Sequence, residues 1–275
     1  MVGSKSTSPW IKLILLSLLL LLFVFPFLLL FVNSFKENKA ITSSPLSFPD
    51  GLHLANYSSA FEKMNYMSAF SNSLVITVLS VLLISLFASM TAHYFVRNEN
   101  KLNQYTFFLM VASMIIPFQA IMIPLVKIYG SVGMLDSKWA LIYMYIGFGS
   151  SLAVFIYHGF VKSIPAELEE AALIDGCTRM QTFFRIVFPV LTPTTVTIAI
   201  LNVLWIWNDF LLPSLVLIAP EERTLPLSTF YFYGTYTVDY GPLMAGLMLT
   251  ILPVIIIYLF SQKYIIRGVM QGSIK

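Results

Sequence analysis

The chain has 275 residues, of which 58% are hydrophobic and only 11% carry a charged side chain. With a mean hydropathy of +0.83, it is too apolar for a water-soluble domain of ordinary composition. Its one cysteine excludes an internal disulfide, and its net charge of +3 gives no reason to expect a nucleic-acid partner. These properties indicate an integral membrane protein.

Six apolar stretches are long enough to cross the ~30 Å hydrocarbon core of a bilayer. We therefore predict an all-α integral membrane protein with six transmembrane helices. The first stretch follows Lys5 and Lys12 in the manner of a signal peptide. However, it is long, contains Pro26 and lacks a small-residue cleavage pattern, so we expect an uncleaved span. The predicted spans are residues 10–32, 71–96, 105–129, 139–161, 194–218 and 243–266.

Basic residues favour the cytoplasmic side of a membrane protein, so their distribution predicts orientation. With the N-terminus inside, ten of the 16 Lys and Arg residues fall in inner segments and six in outer segments. Both termini are therefore expected in the cytoplasm, with residues 1–9 and 267–275 as short cytoplasmic ends. The charged segment 165–189 falls on the same side.

Segment 165–189 concentrates charge in an otherwise apolar chain, with four carboxylates and two arginines. Good helix formers follow Pro165, which is suited to a first helical turn, and acidic residues crowd the start of this run. Gly176 is placed to end it. We predict a short exposed helix, a turn at Gly176 and a second amphipathic run. The small side chains of Ala171 and Ala172 would let another protein approach the backbone closely.

The same segment resembles the EAA loop of bacterial ATP-binding-cassette importer permeases. The resemblance lies in Glu170-Ala171-Ala172, three further residues, Gly176, nine residues and Ile186-Val187-Phe188-Pro189, with Phe188 where leucine is usual. It implies the type I importer permease fold, with this loop as a coupling helix that docks on a cytoplasmic ATPase subunit. The residues it assigns to coupling are Glu170, Ala171, Ala172, Asp175, Gly176 and Pro189. The alternative is a solvated charged loop that only orients its neighbours.

Polar residues inside the predicted spans are candidates for a translocation pathway. Trp207-Asn208-Asp209 falls near the middle of the fifth predicted span, where a carboxylate is costly unless it faces protein or water. This segment either lines the pathway or makes a hydrogen bond that locks neighbouring helices, and the sequence leaves both open. Gln119 lies between Pro117 and Pro124 in a stretch that resembles the kinked pore-lining helix of maltose-type permeases. It could face the same pathway.

Two outer segments are longer than simple turns. Residues 33–70 are expected to form a surface helix that seals the edge of the bundle. The aromatic run 230–236 is typical of a belt at the level of the lipid headgroups, and a platform on which sugar rings stack is the alternative. Glycines at 147–149 and 241–246 are expected to allow close helix packing.

Further segments narrow the resemblance to the carbohydrate-uptake branch of these permeases. They are Trp207-Asn208-Asp209-Phe210-Leu211, Leu225-Pro226-Leu227 and the stretch 260–268. Within that branch, the chain is similar to the maltose-type "G" subunit. Gln271, Gly272 and Ser273 resemble the tail that, in that subunit, reaches the interface between two ATPase subunits. The alternative for these residues is a disordered polar end.

The resemblance implies a permease subunit of an ATP-driven, binding-protein-dependent sugar importer, with a substrate of oligosaccharide size, in the bacterial inner membrane. The expected partners are a homologous second permease, two cytoplasmic ATP-binding subunits, an extracytoplasmic sugar-binding protein and the lipid bilayer. No phosphate-loop, hydrolase or metal-binding motif occurs in the sequence. The chain is therefore expected to be non-catalytic, with ATP and Mg²⁺ held by its partners. A permease for a non-sugar substrate and a stand-alone secondary transporter are the alternatives.

Overall fold

A computed structural model describes residues 9–234 and 237–273, with side chains for all of these except positions 9, 261 and 264–273. The described residues form helices and turns and contain no β-strand. A π-helical turn covers Phe183–Val187, and short 3₁₀ turns cover Pro220–Glu222 and Thr229–Phe232. Helices α1 to α14 are, in order, Pro9–Asn33, Asn38–Ser43, Ala55–Lys63, Tyr66–Arg97, Lys101–Ser113, Phe118–Ser131, Lys138–Val161, Glu167–Ile174, Arg179–Thr182, Phe188–Val190, Thr192–Asn208, Leu211–Val216, Leu225–Ser228 and Tyr240–Ser273.

Four of these helices (α1, α4, α7 and α14) are long and apolar enough to cross a membrane. Two bent pairs raise the number to six if each pair is taken as one span, namely α5 with α6 and Arg179–Val190 with α11. The most apolar part of α1 buries nothing against the rest of the described chain, so its side chains are available to lipid. The predicted all-α membrane fold is confirmed.

The third predicted span, 105–129, is broken in the middle. α5 ends at Ser113, α6 begins at Phe118, and the two helices meet at 104°. Proline cannot donate a backbone hydrogen bond and disfavours helical geometry in the residue before it, and Pro117 itself is extended, with φ −67° and ψ 138°. Pro124, in contrast, is accommodated inside α6. Only the first of the two prolines interrupts the helix.

The fifth predicted span, 194–218, is also interrupted, and the expectation that Asp209 lies mid-helix is wrong. α11 ends at Asn208, Asp209 is extended with φ −70° and ψ 132°, and α12 then covers Leu211–Val216. The Asp209 carboxylate accepts a hydrogen bond from the Leu211 N–H, at 3.1 Å, which satisfies a donor near the start of α12. A short polar side chain that accepts a hydrogen bond from the backbone N–H two residues later favours such a turn over a continuous helix.

The chain divides into two compact units, of which the first comprises residues up to Tyr66 together with 229–252. Here Asp239 accepts hydrogen bonds from Lys63, at 2.6 Å, and from Asn38, at 2.9 Å. Asn38 also accepts from the Gly241 N–H at 2.6 Å. The segment after α1, predicted as one surface helix, is therefore two short helices, α2 and α3, joined through their polar side chains to the start of α14.

Two of the predicted packing glycines lie in this first unit. A Cβ atom at Gly241 would lie 2.6 Å from Oδ1 of Asn56, and one at Gly246 would lie 2.8 Å from Sδ of Met64. Phe232 also reaches Gly246 and is only 2% exposed, so this member of the aromatic run belongs to the core. Phe230 and Tyr233 are exposed and suit the predicted belt, whereas Thr235 and Tyr236 lie outside the described residues.

The second unit comprises residues 67–228 and the part of α14 after Leu252, and its core lies between α4, α7 and α11. A Cβ atom at Gly149, on α7, would lie 2.5 Å from Cδ1 of Ile84 and 3.0 Å from Oδ1 of Asn202. Because Gly149 has no side chain, α7 can approach α4 and α11 closely at this position. Gly147, by contrast, faces open space, so that part of the packing prediction does not hold.

We expect Gly149→Val to destabilise the chain by about 1–3 kcal/mol, because the added methyl groups overpack a filled core. The thermal midpoint of the purified protein in detergent measures this loss. Gly147→Val, two residues away on the same helix and with no neighbour within 4 Å of its Cβ position, is the matched control. Equal midpoints for the two variants would contradict the packing at Gly149.

Candidate functional site

Helix α8 lies in the charged segment 165–189 and is eight residues long, as short as the sequence predicts. Its first turn contains Glu167, Glu169 and Glu170, whose negative charges interact favourably with the helix dipole. Pro165 precedes the helix instead of occupying its first turn, because α8 begins two residues later. The helix has no side-chain cap at its start, so its acidic first turn is a local source of stabilisation.

The end of α8 is set by Gly176, as the sequence predicts. Its φ angle of +86° lies in the left-handed region that favours glycine. The Gly176 N–H donates to the Leu173 carbonyl at 3.1 Å, and the Cys177 N–H donates to the Ala172 carbonyl at 3.0 Å. These two bonds form a Schellman turn. A Cβ at Gly176 would meet nothing within 4 Å, so backbone geometry and not space requires the glycine.

The predicted coupling residues divide between an exposed surface and the interior. Glu170, Ala171, Asp175 and Gly176 are exposed on α8 and its turn, whereas Ala172 is buried. Pro189 is exposed as well, but it lies on α10. Apolar side chains accompany the polar ones on α8, and Ile174 is 86% exposed. The coupling surface, defined here as Glu170, Ala171, Ile174, Asp175 and Gly176, is therefore a mixed polar and apolar patch.

Glu169 is the functional candidate that sequence reasoning missed. Its carboxylate is buried against the C-terminal end of α4, where Nε2 of His93 lies 2.7 Å from Oε2 and Nε of Arg97 lies 2.8 Å from Oε1. Arg97 also donates to the Ile164 carbonyl, at 2.8 Å, just before α8. We call these three side chains the inner clasp. His93 and Arg97 are four residues apart and thus on one helix face, which is a signal that could have predicted an acidic partner.

The inner clasp keeps Glu169 ionised. Burial raises the pKa of this carboxyl, but hydrogen bonds from Arg97 and His93 and their positive charge outweigh burial and hold the pKa below its ordinary value. The Glu169 and Arg97 side chains are 11% and 22% exposed, so the pair is well shielded from water. Removing one partner from such a pair leaves an uncompensated charge and costs about 3–5 kcal/mol.

The chain after Gly176 packs back onto the inner clasp. Thr178 and Gln181 cap α9 through reciprocal side-chain to backbone bonds of 3.3 and 2.8 Å. The π-helical turn then places Phe183, 3% exposed, with its ring centroid 5.4 Å from that of His93. After a bend of 75°, this segment continues into α11. α8 is thus held between α4 and the segment that enters α11.

Three of the four candidate pathway residues, Trp207, Asn208 and Asp209, lie at the break where α11 ends. The Tyr145 hydroxyl, on α7, donates to the Asp209 carboxylate at 2.9 Å, which favours the helix-locking interpretation of Asp209. Trp207 is 3% exposed, whereas Asn208 is exposed and donates to the Leu204 carbonyl of its own helix at 2.7 Å. Gln119 is exposed on a different element, α6. The structure therefore groups three of the four candidates.

Gln271, Gly272 and Ser273 form the end of α14, but their side chains lie outside the described part of the chain, as do Ile274 and Lys275 entirely.

The depressed pKa of Glu169 predicts a pH-dependent stability. Its folded-state pKa lies below the ordinary value of 4.5, so the stabilisation is present above that pH and is lost as the pH falls through the folded-state pKa. We expect Glu169→Gln to lower the thermal midpoint near pH 7 and to approach wild type only as the pH falls through the folded-state pKa of Glu169. Glu167→Gln, an exposed site on the same helix, is the control and should change little. A difference in thermal midpoint between Glu169→Gln and wild type that stays constant down to low pH would contradict the inner clasp.

Comparison with known proteins identifies the family. The profile of the binding-protein-dependent transport system inner membrane component matches residues 82–271. A probable starch degradation products transport system permease protein, AmyC, of Thermoanaerobacterium thermosulfurigenes is 46% identical over 93% of each chain. The multiple sugar-binding transport system permease protein MsmG of Streptococcus mutans is 37% identical over 96% of each chain. The melibiose/raffinose/stachyose import permease protein MelC of Bacillus subtilis is 36% identical over 91% of each.

A solved structure shares the fold. A chain of a bacterial ABC transporter involved in the import of the acidic polysaccharide alginate superposes with a TM-score of 0.81, at 22% identity, over 95% of this chain and 98% of that one. This chain and that one therefore have the same overall fold. From the profile match and the near full-length relatives, this chain belongs to the inner membrane components of binding-protein-dependent transport systems and is a multi-pass membrane protein.

Proposed function

We propose that this chain is the permease subunit of an ATP-driven sugar importer, with oligosaccharides as its substrate class. The support for the substrate class is that relatives aligned over nearly the whole chain are named for starch degradation products, multiple sugars and melibiose, raffinose and stachyose. The observation that carries the mechanism is α8, a short helix with an exposed coupling surface and a buried attachment to α4. Such a helix can receive a displacement from a partner at its exposed surface and transmit it to α4 through its buried contact.

The proposed assembly contains a homologous second permease, two ATP-binding subunits and an extracytoplasmic sugar-binding protein. A structural relative, the alginate ABC transporter, has been solved in complex with an alginate pentasaccharide-bound periplasmic protein, which supports the last of these partners. In this arrangement both termini and α8 are cytoplasmic, and ATP and Mg²⁺ are bound by the ATPase subunits. The chain itself forms half of the pathway and performs no chemistry.

The coupling surface is the proposed contact with one ATPase subunit. Glu170 and Asp175 offer charge, Ala171 permits close approach, and the Schellman turn at Gly176 ends the helix at a defined length. When the two ATPases close on ATP, this surface moves with them, and the pathway switches from inward-facing to outward-facing. Two discrete arrangements of rigid helices carry such a switch. The tail at Gln271, Gly272 and Ser273 is proposed to contact the interface between the ATPases.

At the pathway, exposed and buried residues have different proposed roles. Asn208 and Gln119 are exposed polar side chains beside helix breaks and are proposed to line the route taken by the sugar. Asp209 is bound by the Tyr145 hydroxyl, and Trp207 is buried by packing. Both are proposed to keep the helix break in place. Broken helices at membrane depth are tolerated where they border protein or water, which fits a pathway.

The proposed assembly is tested by purifying the tagged chain from its native membrane and identifying what accompanies it by mass spectrometry. We expect a second multi-span permease and a subunit with a phosphate-loop motif. The purified complex in liposomes should take up radiolabelled maltotriose or raffinose only with ATP and the binding protein. Recovery of this chain alone, with uptake that needs no ATP, would overturn the importer assignment in favour of a secondary transporter.

Substitutions in the coupling surface test the role of α8. We expect Gly176→Pro to leave the chain inserted but to abolish uptake, because proline holds φ near −65° and removes the N–H that bonds the Leu173 carbonyl. Glu170→Lys should lower uptake about tenfold or more while ATP hydrolysis continues, since a contact of 1.4 kcal/mol corresponds to that factor. Glu167→Lys makes the same charge change in the same helical turn and is the control. Equal losses in the two lysine variants would assign the effect to the helix dipole and not to docking.

A further inference from the structure

The helix that holds α8 also contacts the outer segment of the same unit. Near its outer end, Asn72 donates to the carbonyl oxygens of Glu221 and Arg223, at 2.6 and 3.2 Å. Ser73, the next residue, accepts from the Leu225 N–H at 2.8 Å and is 2% exposed. We call Asn72 and Ser73 the outer clasp. α4 is therefore bonded at one end to α8 and at the other to segment 221–225.

The two clasps lie near opposite ends of α4 and are far enough apart to be on opposite sides of a membrane. Asn72 and Arg97 are separated by 25 helical steps (97 − 72), which span about 38 Å at 1.5 Å per residue. This exceeds the hydrocarbon thickness of about 30 Å. A displacement applied to α8 through Glu169 can therefore reach the outer surface along a single element.

α4 is suited to carry such a displacement because nothing interrupts it. Its 32 residues contain neither proline nor glycine, and its backbone is helical throughout. The third and fifth spans are broken, and α1 and α14 each contain a proline. Along its buried face α4 presents small side chains, among them Ser80, Ala88, Ser89 and Ala92, each at most 1% exposed. A continuous helix moves as one body, because kinks arise at proline, glycine or inserted groups.

We propose that α4 is the strut that transmits the motion of α8 across the membrane to segment 221–225, with Glu169 as the inner and Asn72 as the outer positioning residue. This inference rests on the proposed importer function. It adds a route: the ATPase moves α8, the inner clasp pulls α4, and the outer clasp shifts the backbone carbonyls of Glu221 and Arg223. Lys138, on α7, lies 3.5 Å from the Glu222 carboxylate and 3.2 Å from Oδ1 of Asn72, so α7 meets the strut at the same point.

The test follows a reporter on the outer segment in the purified complex reconstituted in liposomes. Glu221→Cys in a Cys177→Ser background leaves the backbone carbonyl that Asn72 binds and puts one thiol on an exposed position. A membrane-impermeant maleimide measures its labelling rate without nucleotide and after trapping with ATP and vanadate. In this reference complex we expect the two rates to differ by about fivefold or more, the range typical of a coupling free energy between sites.

Glu169→Gln in the reference complex should remove that difference while ATP hydrolysis continues, because the ATPases still close but α4 no longer follows. Asn72→Ala should do the same from the outer end. The double variant should lose no more than either single one, since both act on one strut, and non-additivity of this kind identifies coupled residues. Glu167→Gln is the matched control and should keep the full difference. Co-purification of the ATPase shows that each complex is assembled.

Several results would overturn the strut. They are an unchanged difference in assembled Glu169→Gln or Asn72→Ala complexes, additive losses in the double variant, or equal labelling rates in a reference complex that hydrolyses ATP. If the Glu169→Gln complex does not assemble, the labelling rates of the Asn72→Ala complex test the proposal by themselves. A reference complex that contains no ATPase would instead reject the importer function on which the inference rests. A merely structural role predicts lower thermal midpoints with the ATP-dependent difference intact.

Discussion

The structure depends on one shielded ionic contact between two helices that are far apart in sequence. Glu169 on α8 is held by Arg97 and His93 on α4, and Arg97 also binds the Ile164 carbonyl at the entrance to α8. Without this contact, an eight-residue helix has little to hold it, because isolated helices of that length are marginal in water. The Schellman turn at Gly176 and the packing of Phe183 against His93 add to the attachment. α8 can thus behave as a rigid part of the membrane bundle while its other face stays exposed.

The spans of this protein differ in how they respond to polar or helix-breaking residues. Pro117 ends one helix and redirects the chain by 104°, whereas Pro124 is absorbed within α6. Asp209 ends α11 by bonding its own backbone and the Tyr145 hydroxyl. α4 has no such residue and is one unbroken helix of 32 residues. In the proposed mechanism these are complementary features, because broken helices beside a pathway can open and close while one continuous helix transmits the motion.

Membership of the binding-protein-dependent transport family gives these features a common purpose. The family consists of transport components, and in the proposed function this chain changes shape in step with its partners. The exposed part of α8 suits a contact with one partner, and segment 221–225 lies at the other end of the helix that holds it. The ion pairs and hydrogen bonds that matter are therefore those that connect elements. Groups that would bind a substrate tightly are less important for such a role.

The sequence alone determined the class of fold, the helical content of the spans and the short helix before Gly176. These follow from local rules: apolar length, helix propensity and the glycine needed at a positive φ. It also predicted close packing at Gly149, Gly241 and Gly246, though not the difference between Gly149 and Gly147.

Only the tertiary structure decided which polar groups meet. Glu169 and Glu170 are neighbours of the same type, yet one is buried in the clasp and the other is exposed, because helix rotation relative to α4 selects between them. Likewise, Asp209 accepts a hydrogen bond from Tyr145, 64 residues away, and its backbone is extended instead of helical. Such pairings depend on distances between elements, which no local pattern contains.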